Sequence, residues 1–130
     1  MRIKRFEEIK AWQEARSLVK LVYSAIRKNR DFQNDLRFKS QITSSVVSVM
    51  SNIAEGFSRN SNKEFIRFLF ISKGSLAELQ SLLYVALDLA YLDYQQYDLL
   101  FKQSELTAKY ISKFISYLKY PPTQQTQRTQ

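Results

Sequence analysis

The sequence predicts an all-α protein that folds as an antiparallel, up-down-up-down four-helix bundle. Only two glycines and two prolines interrupt the 130 residues, and both prolines fall together at Pro121-Pro122. Apolar residues recur three and four positions apart in four long segments. Short links join these segments, which places consecutive helices side by side in opposite directions. We therefore expect one bundle domain over residues 1–120 and a disordered, Gln/Thr-rich polar tail over residues 121–130.

The first two predicted helices cover residues 8–28 and 35–55, and a polar link at 29–34 joins them. Their buried faces are Trp12, Ala15, Val19, Val22 and Ile26 in the first helix, and Ile42, Val46, Val49 and Ile53 in the second. A row of serines lines the other side of the second helix: Ser40, Ser44, Ser48 and Ser51. Because serine is small and its hydroxyl can bond the backbone one turn earlier, this row predicts close approach by another helix.

The third predicted helix begins at Ser61, continues for about 25 residues and forms a hairpin with the second. Gly56 is placed to end the second helix in a left-handed conformation. Ser61 and Glu64 form a capping-box pattern, in which Ser61 accepts from the Glu64 amide and the Glu64 carboxylate reaches back. The apolar stripe of the third helix has heptad-like spacing: Phe65, Leu69, Leu76, Leu79, Leu83, Ala86 and Ala90.

Gly74 interrupts the third predicted helix, at a cost of about 1 kcal/mol relative to alanine. A turn centred near residues 58–59 places Gly74 level with Ser44, and Glu78 level with Lys39. We therefore expect Gly74 to allow a close crossing against the serine row, and Lys39 to lie within reach of Glu78.

The fourth predicted helix begins after Asp93, which can cap it, and runs to about residue 120. Its apolar face comprises Tyr97, Leu100, Ile111, Phe114 and Leu118. The third helix carries a second apolar set beside its main stripe: Phe68, Ile71, Leu82, Tyr84, Val85 and Leu89. A four-helix core rarely needs so wide an apolar arc, so the surplus predicts a homo-oligomer.

The composition excludes several classes of active site. The chain has neither cysteine nor histidine, which excludes disulfides, thiolate metal sites and His-assisted catalysis. It also lacks a glycine-rich phosphate loop, and we expect neither enzymatic activity nor a cofactor. The basic N-terminus is followed by Phe6-Glu7-Glu8 instead of an apolar run, which does not match a secretory signal. These features favour a soluble, cytoplasmic protein without a membrane segment.

The charge is strongly positive and unevenly distributed. Lys and Arg number 20 against 12 Asp and Glu, a net charge of +8. Residues 57–73 carry four basic groups and one acidic group, whereas residues 74–101 carry four acidic groups and none that are basic. Such an excess favours a polyanion or an acidic protein surface as partner. A solubility charge on a small bundle explains the total equally well.

Short motifs follow one another through the predicted hairpin: Asn52-Ile53-Ala54-Glu55-Gly56, then Arg59, Ser61 and Lys63-Glu64-Phe65, then Gly74-Ser75 and Glu78-Leu79. In these motifs, and in Phe6, Trp12-Gln13 and Tyr91-Leu92, the chain resembles the four-helix-bundle proteins encoded in intervening sequences of bacterial 23S ribosomal RNA genes. The resemblance implies an antiparallel bundle, a ring-like homo-oligomer, commonly a pentamer, and nucleic-acid binding. It also brings in a related protein, the accessory variability protein of diversity-generating retroelements, which binds RNA and a reverse transcriptase.

Basic side chains are the candidates for contacts with nucleic-acid phosphates. They are Arg2, Lys4 and Arg5 near the N-terminus, Arg59, Lys63, Arg67 and Lys73 at the start of the third helix, and Lys109, Lys113 and Lys119 in the fourth. Many family members have two arginines where this chain has Thr43-Ser44 after Gln41, so any phosphate contact by that pair is lost. A solvated helix face explains such basic residues as well, and this alternative stays open.

The hairpin motif itself is best explained by structure. Its members are expected to satisfy helix ends and packing: Asn52, Glu55, Gly56, Ser61, Glu64, Gly74, Ser75 and Glu78. In the alternative, Asn52, Glu55 and Arg59 meet at one end of the bundle and form a ligand or subunit contact. Asp88, Asp93 and Asp98 fall near the third turn and have the ligand chemistry of a magnesium site, but capping and solvent exposure are the favoured explanation.

The sequence favours a non-enzymatic oligomeric adaptor that binds structured RNA or a ribonucleoprotein through basic patches. Such binding neutralises phosphates without reading bases. The alternative is a protein-interaction scaffold, for example an accessory partner of a reverse transcriptase. The eight tyrosines and nine phenylalanines supply rings that can stack on single-stranded bases, but at helical spacing most are expected in the core or a subunit interface.

Overall fold

The computed structural model describes residues 3–121, in which every regular element is a helix. A short 3-10 helix at Phe6–Glu8 precedes α1 (Lys10–Arg27), α2 (Arg30–Asn34), α3 (Leu36–Phe57), α4 (Asn62–Asp88) and α5 (Tyr94–Lys119). The four long helices confirm the predicted all-α bundle. Arg2 and the predicted polar tail beyond Pro121 lie outside the described residues.

Side-chain hydrogen bonds between neighbouring helices show the antiparallel order around the bundle. Ser48 Oγ and Ser75 Oγ are 2.8 Å apart between α3 and α4, and Gln80 Nε2 donates to Ser104 Oγ at 3.0 Å between α4 and α5. Gln103 Nε2 of α5 donates to the backbone oxygen of Glu14 in α1 at 3.1 Å. α1 also packs against α3, so the four long helices enclose one core.

The predicted apolar stripes form most of this core. Ile42, Val46, Val49 and Ile53 of α3 are all buried, as are the α4 stripe residues from Phe65 to Ala86. In α1 the helix is rotated slightly from the prediction, because Leu18 is fully buried and Val19 only half-buried. The buried polar side chains Ser72, Ser104 and Thr107 each donate to a backbone oxygen, which removes the cost of burying their hydroxyls.

Gly56 lies inside the last turn of α3 and allows α4 to approach it closely. A Cβ added to Gly56 would lie 2.8 Å from both Phe65 Cδ1 and Phe68 Cβ. No glycine in the described residues has a positive φ, so the predicted left-handed cap at Gly56 is wrong. α3 continues to Phe57, and Ser58 ends it in a right-handed conformation.

Gly74, unlike Gly56, is not in contact with a neighbouring helix. A Cβ added there meets no atom within 4 Å, and the residue is exposed on the outer side of α4. The predicted close crossing at Gly74 is therefore wrong. The serine row is also mainly exposed: Ser48 alone of its four members bonds α4, whereas Ser40, Ser44 and Ser51 face outward.

The register of the hairpin differs from the predicted one because α3 extends past Gly56. Ser48 lies beside Ser75, and Ser72 Oγ donates to the backbone oxygen of Val49 at 2.6 Å. These pairs centre the turn near Ser61 instead of residues 58–59. The shift removes the predicted Lys39–Glu78 contact, and the two side chains form no ion pair in residues 3–121.

The polar link predicted at residues 29–34 is a short helix that closes one end of the bundle. Asn29 Oδ1 accepts from the Phe32 amide at 2.9 Å and begins α2. The Phe32 ring is buried and stacks on Tyr91, with ring centroids 5.1 Å apart. Asp35 begins α3 by accepting from the Phe38 amide, and its second carboxylate oxygen accepts from the Tyr91 hydroxyl at 2.7 Å.

Ala90 marks the other unpredicted feature of this end. The sequence placed Ala90 on the apolar stripe, but α4 ends at Asp88 and Ala90 has a φ of 60°. The Tyr91 amide donates to the Ala86 oxygen, and the Ala90 amide to the Leu87 oxygen. This pair of bonds is a Schellman ending, which usually has glycine where this chain has Ala90.

The two glycines give a matched test of the packing. We expect Gly56→Ala to lower the free energy of unfolding by about 1–3 kcal/mol, because its Cβ must displace Phe65 or Phe68. Gly74→Ala should raise it by about 0.5–1 kcal/mol, because alanine stabilises an exposed helix interior. Urea denaturation of both variants measures the difference. An unchanged Gly56→Ala variant would contradict the close contact.

The Asp35–Tyr91 bond predicts a pH dependence. The Tyr91 hydroxyl, followed by the Phe38 amide, lowers the pKa of Asp35. Asp35 therefore adds stability above its unfolded pKa of about 3.9, and this contribution is lost as the pH falls through the lower folded pKa. We expect Tyr91→Phe to lose less stability than the wild type between about pH 6 and about pH 3. Equal losses in urea denaturation at the two pH values would exclude this role for Tyr91.

Candidate nucleic-acid interface

The α4–α5 pair carries its positive charge at one end. Asn62 Nδ2 at the start of α4 donates to the Leu118 oxygen at 3.3 Å, and Lys73 Nζ donates to Ser112 Oγ at 3.1 Å. These bonds bring the basic start of α4 beside the last half of α5, in which residues 106–119 contain three lysines and no acid. The resulting surface is called the basic face, and its residues are Lys63, Arg67, Lys73, Lys109, Lys113 and Lys119.

The lysines of the basic face differ from the nearby arginines in their ion pairing. Arg59 pairs with Glu55 at 2.7 Å, and Arg67 with Glu64 at 3.2 Å. All five lysines of the face lack a carboxylate within ion-pair distance in residues 3–121. Their charges are therefore available to an anionic partner.

Aromatic rings lie between the cations at this end of the bundle. Lys73 Nζ and Lys119 Nζ are 5.8 Å and 5.9 Å from the centroid of Phe70, which is half exposed. Lys10 Nζ and Lys113 Nζ are each 5.6 Å from the centroid of Tyr110 in the neighbouring groove between α1 and α5. These contacts hold ammonium groups from different helices near one another.

The two arginines of the hairpin are held more firmly. Arg59 and Arg67 lie 4.8 Å and 4.7 Å from the centroid of Phe68, whose ring is buried. Glu64 accepts from Arg67 through both carboxylate oxygens, which lowers the pKa of Glu64. The predicted return contact from Glu64 to the helix start is therefore absent, while Ser61 accepts from the Glu64 amide at 3.1 Å as predicted.

The remaining residues that the sequence predicted for the site lie outside the basic face. Arg5 pairs with Glu7 at 2.8 Å beside the first 3-10 helix, and Lys4 is exposed nearby. Asn52 donates to the backbone oxygen of Ser48 at 2.8 Å, so it forms a local helix contact. Glu78 is exposed on α4 and has no ion pair in residues 3–121.

The opposite end of α4–α5 is acidic and rich in tyrosine. Tyr84, Tyr94 and Tyr97 cluster there, and burial raises the pKa of Tyr97 to about 12. Asp93 caps α5 through a complete capping box with Gln96, and Asp98 pairs with Lys102 at 2.9 Å. In the part of the chain that the structure describes, no group of three acidic residues is placed to hold a metal ion.

Part of the predicted surplus apolar set remains exposed on α4. Ile71, Val85 and Leu89 have exposed fractions of 40%, 39% and 50%. Phe68, from the same predicted set, is buried, and Leu82 is half-buried. We call Ile71, Val85 and Leu89 the exposed row. Gly74 lies between Ile71 and Val85 along α4.

A separate cavity of about 340 Å³ lies at the α1–α3 end. It is lined by Tyr23, Ile26, Arg27, Gln33, Leu36, Lys39, Ser40 and Thr43. Thr43 Oγ1 donates to the Lys39 oxygen at 2.7 Å, so this lining side chain is bonded to its own helix. None of the predicted phosphate-binding residues lines this cavity.

Fold and surface together define a small antiparallel helical bundle with one lysine-rich face. The family model described as 23S rRNA-intervening sequence protein matches residues 7–113. The chain therefore belongs to the 23S rRNA-intervening sequence protein family, as its motifs indicated.

A similar solved structure is a protein of unknown function from the S23 ribosomal protein family of Bacteroides thetaiotaomicron. It shares 20% sequence identity with a TM-score of 0.74, and the match covers 81% of this chain and 97% of that chain. At this identity the likeness shows the fold alone. A search of curated proteins gives no match. None of the helices in residues 3–121 is long and apolar enough to cross a bilayer.

Sequence reasoning missed the side chains that organise the basic face. Phe70, Tyr110 and Ser112 were not among the candidates, yet each contacts a lysine. A signal was present, since Phe70 and Lys73 lie three residues apart on one helix side. The pairing with Lys119 and Ser112 depends on the α4–α5 register, which the local pattern does not contain.

Proposed function

We propose that this protein is a non-enzymatic adaptor that binds structured RNA or a ribonucleoprotein through its basic face. The observation that carries the proposal is the set of lysines, from two antiparallel helices, that have no carboxylate partner in residues 3–121. The family description, which refers to 23S rRNA, supports RNA as the polyanion. This partner implies a cytoplasmic location.

The geometry suits phosphate neutralisation. Lys109 and Lys113 lie one turn apart on α5, a rise of about 6 Å, and project on one side of the helix. Lys73 is anchored by Ser112 beside them. Each lysine that meets a phosphate releases condensed counterions, which contributes affinity without reading sequence. The arginines Arg59 and Arg67 contribute less, because each already has a carboxylate partner.

The exposed row on α4 supports the oligomeric part of the proposal. When a second subunit covers exposed apolar residues on one side of a helix, their removal from water stabilises the assembly. A ring of this protein, a pentamer by family resemblance, repeats the basic face on every subunit. The same row favours the alternative, a protein-interaction scaffold such as a reverse-transcriptase partner.

The first prediction of the proposal concerns salt. RNA affinity should fall as salt rises, and Lys109→Gln and Lys113→Gln should each reduce the slope of log affinity against log salt by about one. Lys20→Gln is the control, because Lys20 is exposed on α1, a helix that contributes no residue to the basic face. Fluorescence anisotropy with labelled RNA measures the slopes. RNA binding that is absent, or independent of salt, would refute the proposal.

The second prediction concerns subunit number. Native mass measurement should give a defined oligomer for the wild type, and Val85→Asp should shift it towards monomer, because a buried carboxylate opposes assembly. Lys20→Gln should leave the mass distribution unchanged. A wild-type protein that is a monodisperse monomer would contradict the oligomeric part and leave the RNA part to be judged by the salt experiment.

A further inference from the structure

Phe70 is a half-exposed aromatic ring inside the basic face. Its exposed fraction is 50%, and Lys73 Nζ and Lys119 Nζ lie 5.8 Å and 5.9 Å from its ring centroid. Lys73 belongs to α4 and Lys119 to α5, and Ser112 Oγ accepts from Lys73 at 3.1 Å. The ring is therefore bordered by cations from two helices.

The core does not account for Phe70. Its neighbour Leu69 is fully buried, whereas Phe70 is neither in the buried cluster nor among the half-buried residues packed against it. A phenylalanine left half in water buries only about half of the apolar surface that a core phenylalanine buries. Its surroundings also differ from those of the exposed row, because both contacting groups are ammonium groups.

We infer that Phe70 is a stacking platform for one unpaired base of RNA, with Lys73 and Lys119 binding the flanking phosphates. The inference rests on the proposed function and names the feature of RNA that the basic face selects, a nucleotide in a loop, bulge or single-stranded end. Internal bases of a duplex are stacked on both faces and cannot offer one to Phe70.

A base that replaces a lysine ammonium group on the Phe70 ring forms the stronger contact with the ring. A lysine over an exposed ring contributes about two- to fivefold to an equilibrium constant, whereas a base stacked on an aromatic ring contributes about five- to 100-fold. A base that displaces an ammonium group from the ring leaves that group free to bind the adjacent phosphate. The lysine therefore loses one contact and gains a charge-assisted one.

Tyr84 provides a matched control on the same helix. Its exposed fraction is 52%, close to that of Phe70, and it lies near the acidic end. Its ring contacts are Tyr97 and Phe101 at 5.4 Å and 5.7 Å, and residues 74–101 contain no lysine or arginine. In residues 3–121 no lysine or arginine lies over the Tyr84 ring. Tyr84 therefore lacks the bordering cations of Phe70, and Tyr84→Leu should leave RNA affinity unchanged.

The test compares two RNAs, a blunt duplex and a hairpin with the same stem and a uridine-rich loop. Wild-type protein should bind the hairpin more tightly. Phe70→Leu should weaken hairpin binding by about five- to 100-fold, while its duplex affinity and salt slope stay close to those of the wild type. Tyr84→Leu should match the wild type on both RNAs.

The outcomes separate this inference from the proposed function. If Phe70→Leu keeps the wild-type ratio of hairpin to duplex affinity, the stacking role is wrong and RNA binding stands. If Phe70→Leu lowers the native mass of the protein, Phe70 is a subunit contact and the inference is overturned. If the wild type binds neither RNA, the proposed function fails as well.

A Phe70→Trp variant reports base stacking at position 70 directly, without relying on a loss of RNA affinity. The chain has one native tryptophan, and Trp12 is buried in the core. Fluorescence of the introduced indole should be quenched when the hairpin is added, because a base stacks on it, while the wild-type signal should change little. Unquenched fluorescence at RNA concentrations that saturate binding would overturn the inference.

Discussion

The bundle depends on the contact between the α3 backbone at Gly56 and the phenylalanines Phe65 and Phe68 of α4. Space for even one methyl group is absent there, since an added Cβ would lie 2.8 Å from both residues. This contact sets the separation of α3 and α4 near the turn. Farther from the turn, the Ser48–Ser75 and Ser72–Val49 hydrogen bonds keep the two helices in the same register. Close packing of this kind stabilises one arrangement over its neighbours.

The position of α4 in turn determines which charges meet. The side of α4 that faces α5 carries Lys73 and Gln80, which bond Ser112 and Ser104. The antiparallel direction then places the basic start of α4 beside the basic last half of α5, and the acidic end of α4 beside the start of α5. The lysines of α4 and α5 thereby form a local positive field at one end of this helix pair. Such a field is what a polyanion partner requires.

Much of the fold could be predicted from the sequence because helices and their buried sides are local properties. The stripe from Ile42 to Ile53 and the Ser61 and Asp93 caps were all predicted in place. The close helix crossing was predicted at Gly74, but it occurs at Gly56. Both sit on a helix pattern, and only the tertiary packing decides that Gly56 meets a neighbouring helix and Gly74 meets none.

The site was less predictable for the same reason. The lysines of the basic face could be predicted from their charge. Whether each one lacks an ion pair could not, because that depends on which carboxylates the fold places near it. Arg59 and Arg67 looked equivalent to Lys73 in the sequence, yet each of the arginines has an acidic partner one turn away. Short α2 was also missed, because its buried Phe32 is a lone apolar residue among polar ones and its helix is too brief to show a period.

We propose that RNA binds the basic face and not every positively charged part of the protein surface. Amine-reactive footprinting with mass spectrometry tests it on the unmodified sequence. We expect RNA to protect the five lysines of the basic face from modification, while Lys20, Lys28 and Lys39 remain as reactive as in the free protein. Equal protection of all lysines, or protection confined to Lys20, Lys28 and Lys39, would contradict the account.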